Sequence, residues 1–262
     1  MFRPLAFTVL LSGCSFVGID LEGVEDAVSG ITDPVVEQGL VLGIEDPDIK
    51  ELEPLVKAGI ITPGVTVSVF LANAADAANI QQAPMNGARV VLELEDGESF
   101  DAPRVGEGTY TLDVGANDIQ YVEEDIWTLW ADSGRETASW IDVILPPAAD
   151  PHLPDSHDTN TALDLDFTGQ GFHSAIVMVN DGLGIPTWTN YPTSITDIYN
   201  QSLASDPLEL LTIPEGAFPR KGTYAIGVAA MVHNDDGQLG EVNKLLSRGM
   251  SGKMTWSKLE VK

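Results

Sequence analysis

Three groups of side chains in this 262-residue sequence are of types that could do chemistry. The run HNDDGQLGE, residues 233–241, sets Asn234, Asp235, Asp236 and Glu241 around Gly237. These are hard oxygen donors of the kind Ca²⁺ takes, although the run lacks the length and alternating spacing of an EF-hand loop. Asn-Asp-Asp-Gly reads first as a hairpin turn and only then as a calcium site. The run DPHLPDSHD, residues 150–158, places His152, Asp155 and His157 among prolines. Imidazole and carboxylate suit a transition metal, but the spacing matches no structural zinc pattern. The third group is aromatic: Trp188, Asn190, Tyr191 and Tyr199 lie in GLGIPTWTNYPTSITDIYN, residues 182–200. Connections longer than about 12–15 residues are often functional. Flat rings beside amides stack on sugar or peptide, or else they roof the open end of a sandwich.

What catalysis would need is sparse. There is no Gly-x-Ser-x-Gly, no His-Glu-x-x-His and no phosphate-cradling glycine loop. Carboxylates are abundant, with 40 Asp+Glu, so neighbours such as Glu123, Glu124 and Asp125 carry little information. A glycosidase pair depends on separation in space, which leaves an envelope hydrolase with dispersed carboxylates as one alternative. The expectation is a non-catalytic protein with no cofactor, calcium being the one candidate.

Charge narrows the partners. Lys+Arg number 13 against 40 Asp+Glu, for a formal net charge of −27. Such a surface repels nucleic acid and anionic headgroups and attracts cations and basic partners. The single cysteine, Cys14, cannot form an internal disulfide. It follows Arg3, an apolar run from Leu5 to Leu11, and the small residues Ser12 and Gly13. Positive charge, short apolar core and small residues are the layout of a secretory signal peptide. A leader of 13 residues is short, so it is either minimal or begins upstream. Leu11, Ser12, Gly13 and Cys14 resemble, position by position, the bacterial lipobox. That resemblance implies a diacylglycerol thioether on Cys14, cleavage before it and acylation (palmitate or similar) of the new amine. Two or three acyl chains hold a protein stably at about 0.8 kcal/mol per buried methylene. Ser15, rather than Asp, follows the cysteine, which by the lipoprotein sorting pattern implies the outer membrane. The longest apolar runs, such as Ala225–Val232, fall short of a span of about 20 residues.

The elements that would position these groups read as strands. VTVSVFLA alternates Val65, Val67, Val69 and Leu71 against Thr66, Ser68 and Phe70. Val90, Leu92 and Leu94 share a face, as do Tyr110, Leu112 and Val114. IWTLWA and SWIDVIL follow, with turn residues every 8 to 15 positions or so, a sandwich rhythm. Pro146–Asp158 holds four prolines and no apolar period, as a linker does. Beyond it Leu163, Leu165 and Phe167 are in phase, and SAIVMVN is apolar on both faces, as a central strand is. Before Val65, Asp46-Pro47 opens a short helix in DIKELEPLVKAG, which Pro54 should kink or end.

GTYTLDV (Gly108–Val114) and GTYAIGV (Gly222–Val228) echo each other. Glycine two places before an inward tyrosine resembles the tyrosine corner of immunoglobulin-like sandwiches. NGARVVL followed by GTYTLDV also resembles the carboxypeptidase-regulatory, transthyretin-like sandwiches over residues 61–147. Together these predict an all-β chain of two tandem β-sandwich domains. The expected parts are a signal peptide at 1–13, a lipidated acidic tether with a short helix at 14–60, sandwich one at 61–147, a linker at 148–159 and sandwich two at 160–262. The expected role is binding or assembly at a bacterial envelope, through a protein or glycan partner. A surface carbohydrate- or peptide-binding protein using residues 188–199 is the alternative.

Overall fold

A computed structural model describes residues 35–58, 61–73, 83–112, 119–134, 138–183, 186–191, 201, 206–234, 239–244 and 246–262. Its strands in the first part of the chain are β1 (Val35–Ile44), β2 (Gly64–Asn73), β3 (Arg89–Glu93), β4 (Ser99–Ala102), β5 (Arg104–Gly106), β6 (Thr109–Leu112), β7 (Ile126–Asp132) and β8 (Ser139–Ile144). Then come β9 (Ser156–His157), β10 (Leu163–Asp166), β11 (Ser174–Asn180), β12 (Pro186–Thr189), β13 (Leu210–Ile213), β14 (Gly222–His233), β15 (Leu239–Gly240) and β16 (Arg248–Val261). A 3₁₀ turn at Lys50–Leu52 leads into helix α1, Glu53–Lys57.

The chain is all-β and sandwich-like. A nine-stranded sheet runs β12-β11-β14-β16-β1-β2-β6-β5, with β9 beside β16. Only the β1–β16 and β9–β16 pairings in it are parallel. Smaller sheets, β15-β8-β7-β3-β4 and β10-β13, complete the layers. Val41 of β1 and Val232 of β14 are both register partners of Ser251 on β16. Register partners project to the same side, so the two main cores leave one face of the large sheet. In the first core Val67, Val69 and Leu71 meet Leu92, Trp127, Leu129 and Ile141. In the second, Val177, Val179, Ile226 and Val228 meet Leu165, Phe167 and Phe218. The opposite face of the large sheet carries Leu40, Leu42, Met231, Met250 and Met254. At one end of that face Ile49, Leu52, Leu55 and Ile61 pack over Ala225.

Both Gly-Thr-Tyr motifs anchor their strands as their resemblance to the tyrosine corner implied. Tyr110 Oη donates to the Met85 carbonyl at 2.9 Å and accepts the Ala88 N–H at 3.1 Å. Tyr224 Oη donates to the Arg220 carbonyl at 3.0 Å and accepts the N–H of the same residue at 3.2 Å. Both rings are buried, so each phenol needs these partners.

Three details differ from the sequence reading. Residues 35–44, assigned to the tether, form the strand that joins the halves of the large sheet, flanked by β16 and β2. With both faces covered, β1 buries residues of either parity (Val35, Val36, Leu40, Val41, Leu42) and shows no period of two. Pro54 sits in the first turn of α1 rather than breaking a helix, because a first-turn residue has no intrahelical use for an N–H. Across the expected 148–159 linker the two units stay joined. Ala149 enters the second core, β9 pairs with β16, and β15 from the later half lies beside β8 in the five-stranded sheet.

Candidate functional site

The groups singled out in the sequence fare differently. Cys14 and its neighbours Leu11, Ser12 and Gly13 lie outside the described residues, as do Tyr199, Asp235 and Asp236. Trp188 is half-buried against the second core. The Asn190 amide completes the edge of β11, its Oδ1 accepting the Val177 N–H at 2.6 Å and its Nδ2 donating to the Ala175 carbonyl at 2.7 Å. Tyr191 remains 38% exposed. Thus Trp188 and Asn190 serve packing and strand ends, and only Tyr191 of the described set faces solvent.

Of the calcium run, Asn234 and Glu241 are among the described residues. Asn234 Oδ1 accepts the Gly249 N–H, and the Asn234 N–H donates to the Gly249 carbonyl at 3.0 Å. Glu241 is exposed, with a positive φ of 55°. In the histidine run, His152 Nδ1 lies 2.9 Å from the Asp150 carbonyl. That hydrogen bond, then the Asp150 charge, raises the pKa of this imidazole. His157 turns to Thr161, 3.0 Å from its carbonyl, and sets its ring edge-on to Phe218 at 4.8 Å. Among the described residues no three His, Cys, Asp or Glu side chains gather as metal ligands, so His152, Asp155 and His157 are not brought together.

A different surface concentrates binding groups: the outer face of the five-stranded sheet. Along β7 the odd-numbered residues Trp127, Leu129 and Ala131 are buried in the first core. The even-numbered ones must therefore point outward. Antiparallel pairing with β8 then sets Trp130 opposite Trp140, Thr128 opposite Asp142 and Ile126 opposite Ile144. The two indoles are half-buried, 6.3 Å apart between centroids and inclined by 50°. Thr128 Oγ1 donates to Asp142 Oδ1 at 2.6 Å. Ile126 is 47% and Ile144 41% exposed. Gly240 lies directly under the Trp140 ring, and a Cβ there would collide with the indole.

The same face continues onto β3, where Val91 pairs with Trp130, Arg89 with Asp132 and Glu93 with Thr128. Arg89 Nε donates to Asp101 Oδ1 at 2.8 Å. Beside Trp130 a hollow of about 400 Å³ is edged by Arg89, Glu93, Ser99 and Asp132. The Trp130 indole N–H is buried without a hydrogen-bond partner among the described residues. The result is two apolar pairs, Trp130–Trp140 and Ile126–Ile144, separated by the hydrogen-bonded Thr128–Asp142 pair and edged by charge, an arrangement suited to holding another surface. The signal in the sequence was the spacing of Trp130 from Trp127: opposite parity in one strand puts the two on opposite faces. Finding Trp140 opposite needed the register, which no local pattern supplies.

No family model and no curated protein matches the chain. Among solved structures it is similar to the N-terminal Ig1-2 module of the Drosophila receptor protein tyrosine phosphatase DLAR. That likeness has 10% identity and a TM-score of 0.27 over 75% of this chain and 89% of that one. Similarity to the FN1–FN3 domains of chicken CNTN1 has 10% identity and a TM-score of 0.24, over 75% and 62%. Similarity to the BSP domain of a biofilm associated protein has 12% identity and a TM-score of 0.24, over 87% and 30%. The chain spans less than two thirds of those last two. These are β-sandwich modules; the fold class of this chain stands on its own sheets, and likeness at this level carries no statement of activity.

Proposed function

We propose that this chain is a lipid-anchored protein of a bacterial outer membrane that acts by binding a protein partner across the outer face of its five-stranded sheet, without catalysis. The observation that carries the binding reading is the solvent-facing Trp130–Trp140 pair in line with exposed Ile126 and Ile144. Large aromatic side chains are where interface energy concentrates, and the Thr128–Asp142 pair between them and the isoleucines offers a polar contact. A protein partner suits the row better than a sugar does, because isoleucines offer a sugar neither stacking nor hydrogen bonds. Support for the anchor comes from Leu11, Ser12, Gly13 and Cys14 in the sequence.

A photo-crosslinking residue at position 144, in the anchored full chain, should form a discrete adduct that one at exposed Lys258 does not. Absence of any adduct from positions 126, 140 and 144 would count decisively against this face. For the anchor, Cys14→Ala should move the protein from the detergent phase to the aqueous phase. Unchanged partitioning would refute lipidation.

A further inference from the structure

We infer that the free edge of β13 takes an added strand from a basic protein partner, through backbone pairing. The β10–β13 sheet has only two strands, so each keeps one edge without a neighbouring strand. Register decides which groups face outward. Leu163 pairs with Ile213 and Leu165 with Leu211. One step further on, the Phe167 N–H donates to the Glu209 carbonyl at 2.8 Å. Bonded pairs alternate along an antiparallel ladder, so residues 209, 211 and 213 turn their backbone groups toward β10. Leu208, Leu210 and Thr212 therefore turn theirs the other way. The Leu208 N–H is taken by the Phe172 carbonyl at 2.6 Å. The outward N–H and C=O groups of Leu210 and Thr212 have no hydrogen bond among the described residues. Both residues are exposed, Leu210 by 55%. Backbone groups left in this way are a template for another strand.

The edges of β12 and β5 are blunted; that of β13 is not. β12 begins at Pro186, and its register with β11 shifts between Val179 and Asn180. β5 carries Arg104 and a register shift between Arg104 and Gly106. The outer edge of β10 is partly closed, since Gln170 Nε2 donates to the carbonyls of Asp150 at 2.7 Å and Asp166 at 3.4 Å. β13 holds no proline, no lysine and no register shift against β10. Charge then selects the occupant. Residues 136–219 contain no lysine or arginine. Asp164, Asp166, Asp206, Glu209 and Glu215 lie exposed on or next to the ribbon. A second copy of this chain would bring the same charge and be repelled, so the occupant is a different, basic protein. Side chains of an added strand alternate between two faces. One set lies over half-buried Leu211 at the rim of the second core. The other lies beside Leu210 and Thr212, in line with Asp166 and Asp164. Apolar residues suit the first position and lysine or arginine the second. The ribbon belongs to the second sandwich, so this site and the Trp130–Trp140 face stand or fall separately.

The probe is a fluorescent peptide of alternating lysine and valine, about seven residues long, added to the full chain in detergent micelles. Its anisotropy should rise saturably. Hydrogen exchange, read by ¹⁵N NMR, should slow at the Leu210 and Thr212 amides and stay as it was at Leu211, whose N–H already donates to β10. The same peptide N-methylated at every residue keeps its charge and loses its donors, so it should bind at least about tenfold more weakly. Thr212→Pro removes one outward N–H and leaves the ladder to β10 intact. It should weaken binding of the unmethylated peptide by a similar factor, with circular dichroism unchanged. If Thr212→Pro does not fold, the methylated peptide and the exchange rates decide without it. The inference is overturned if the methylated peptide binds as tightly, if exchange at Leu210 and Thr212 does not change, if folded Thr212→Pro binds like the parent, or if a glutamate–valine peptide binds as well.

Discussion

Glu37 is an acid shut inside the fold. It lies fully buried on β1, its Oε2 accepting the Ser139 hydroxyl at 3.1 Å while its own N–H donates to Ser247 Oγ at 3.0 Å. Oε1 has no partner among the described residues. Burial raises the pKa from 4.5 to about 8, against a smaller lowering by the Ser139 hydrogen bond. The folded state therefore keeps a proton that the unfolded chain gives up. Stability from this group is complete below about pH 4.5, declines as pH rises and is gone above about pH 8. Glu37→Gln keeps the shape and removes the ionisation. Its Tm should exceed that of the parent at pH 8 by several degrees, and the gap should shrink toward pH 5. Equal pH slopes for the two proteins, by thermal unfolding, would disprove the assignment. The sequence did not announce this residue, because one Glu among many acids is invisible until its strand is known to be central. The tyrosine corners were legible, because Gly-Thr-Tyr ahead of alternating apolar residues is a local signature of a specific hydrogen bond.

Elements read well where one face was wet. β2 alternates because its register partners bury Val65, Val67 and Val69 against the first core, while Thr66 and Ser68 are half-buried. β1 was missed for the opposite reason: its residues are buried on both faces, and Glu37, Gln38 and Gly39 lend it the composition of a tether. The binding face was half legible. Residue spacing within β7 turns Trp130 outward, but pairing with Trp140 is a property of the sheet. Gly43 shows how closely β1 is fitted to its surroundings, since a side chain there overlaps the Tyr121 ring. Gly43→Ala should cost about 1–3 kcal/mol, as overpacking does. Gly87→Ala, with nothing within 4 Å of the added carbon, should change stability little. Denaturant titration of the pair tests this, and equal midpoints would refute the contact.

At the scale of the molecule, two cores hang from one sheet. The β14–β16 and β1–β2 pairings lie on either side of the parallel β1–β16 seam. Calorimetry should therefore show a single transition, with calorimetric and van't Hoff enthalpies in agreement. Chains cut between residues 147 and 148 should fail to fold separately, since one fragment loses the β16 partner of β1 and the other loses β1 itself. Two independent transitions, or two fragments with native circular dichroism, would show that the seam is dispensable. The seam also sets an order of events. Glu37 meets Ser247 across 210 positions of chain, so a ribosome delivers β1 long before its neighbour exists. Until then the strand has an unsatisfied edge and the first half lacks a border. The topology alone imposes that delay, because it withholds the final strand until nearly all of the chain has been made.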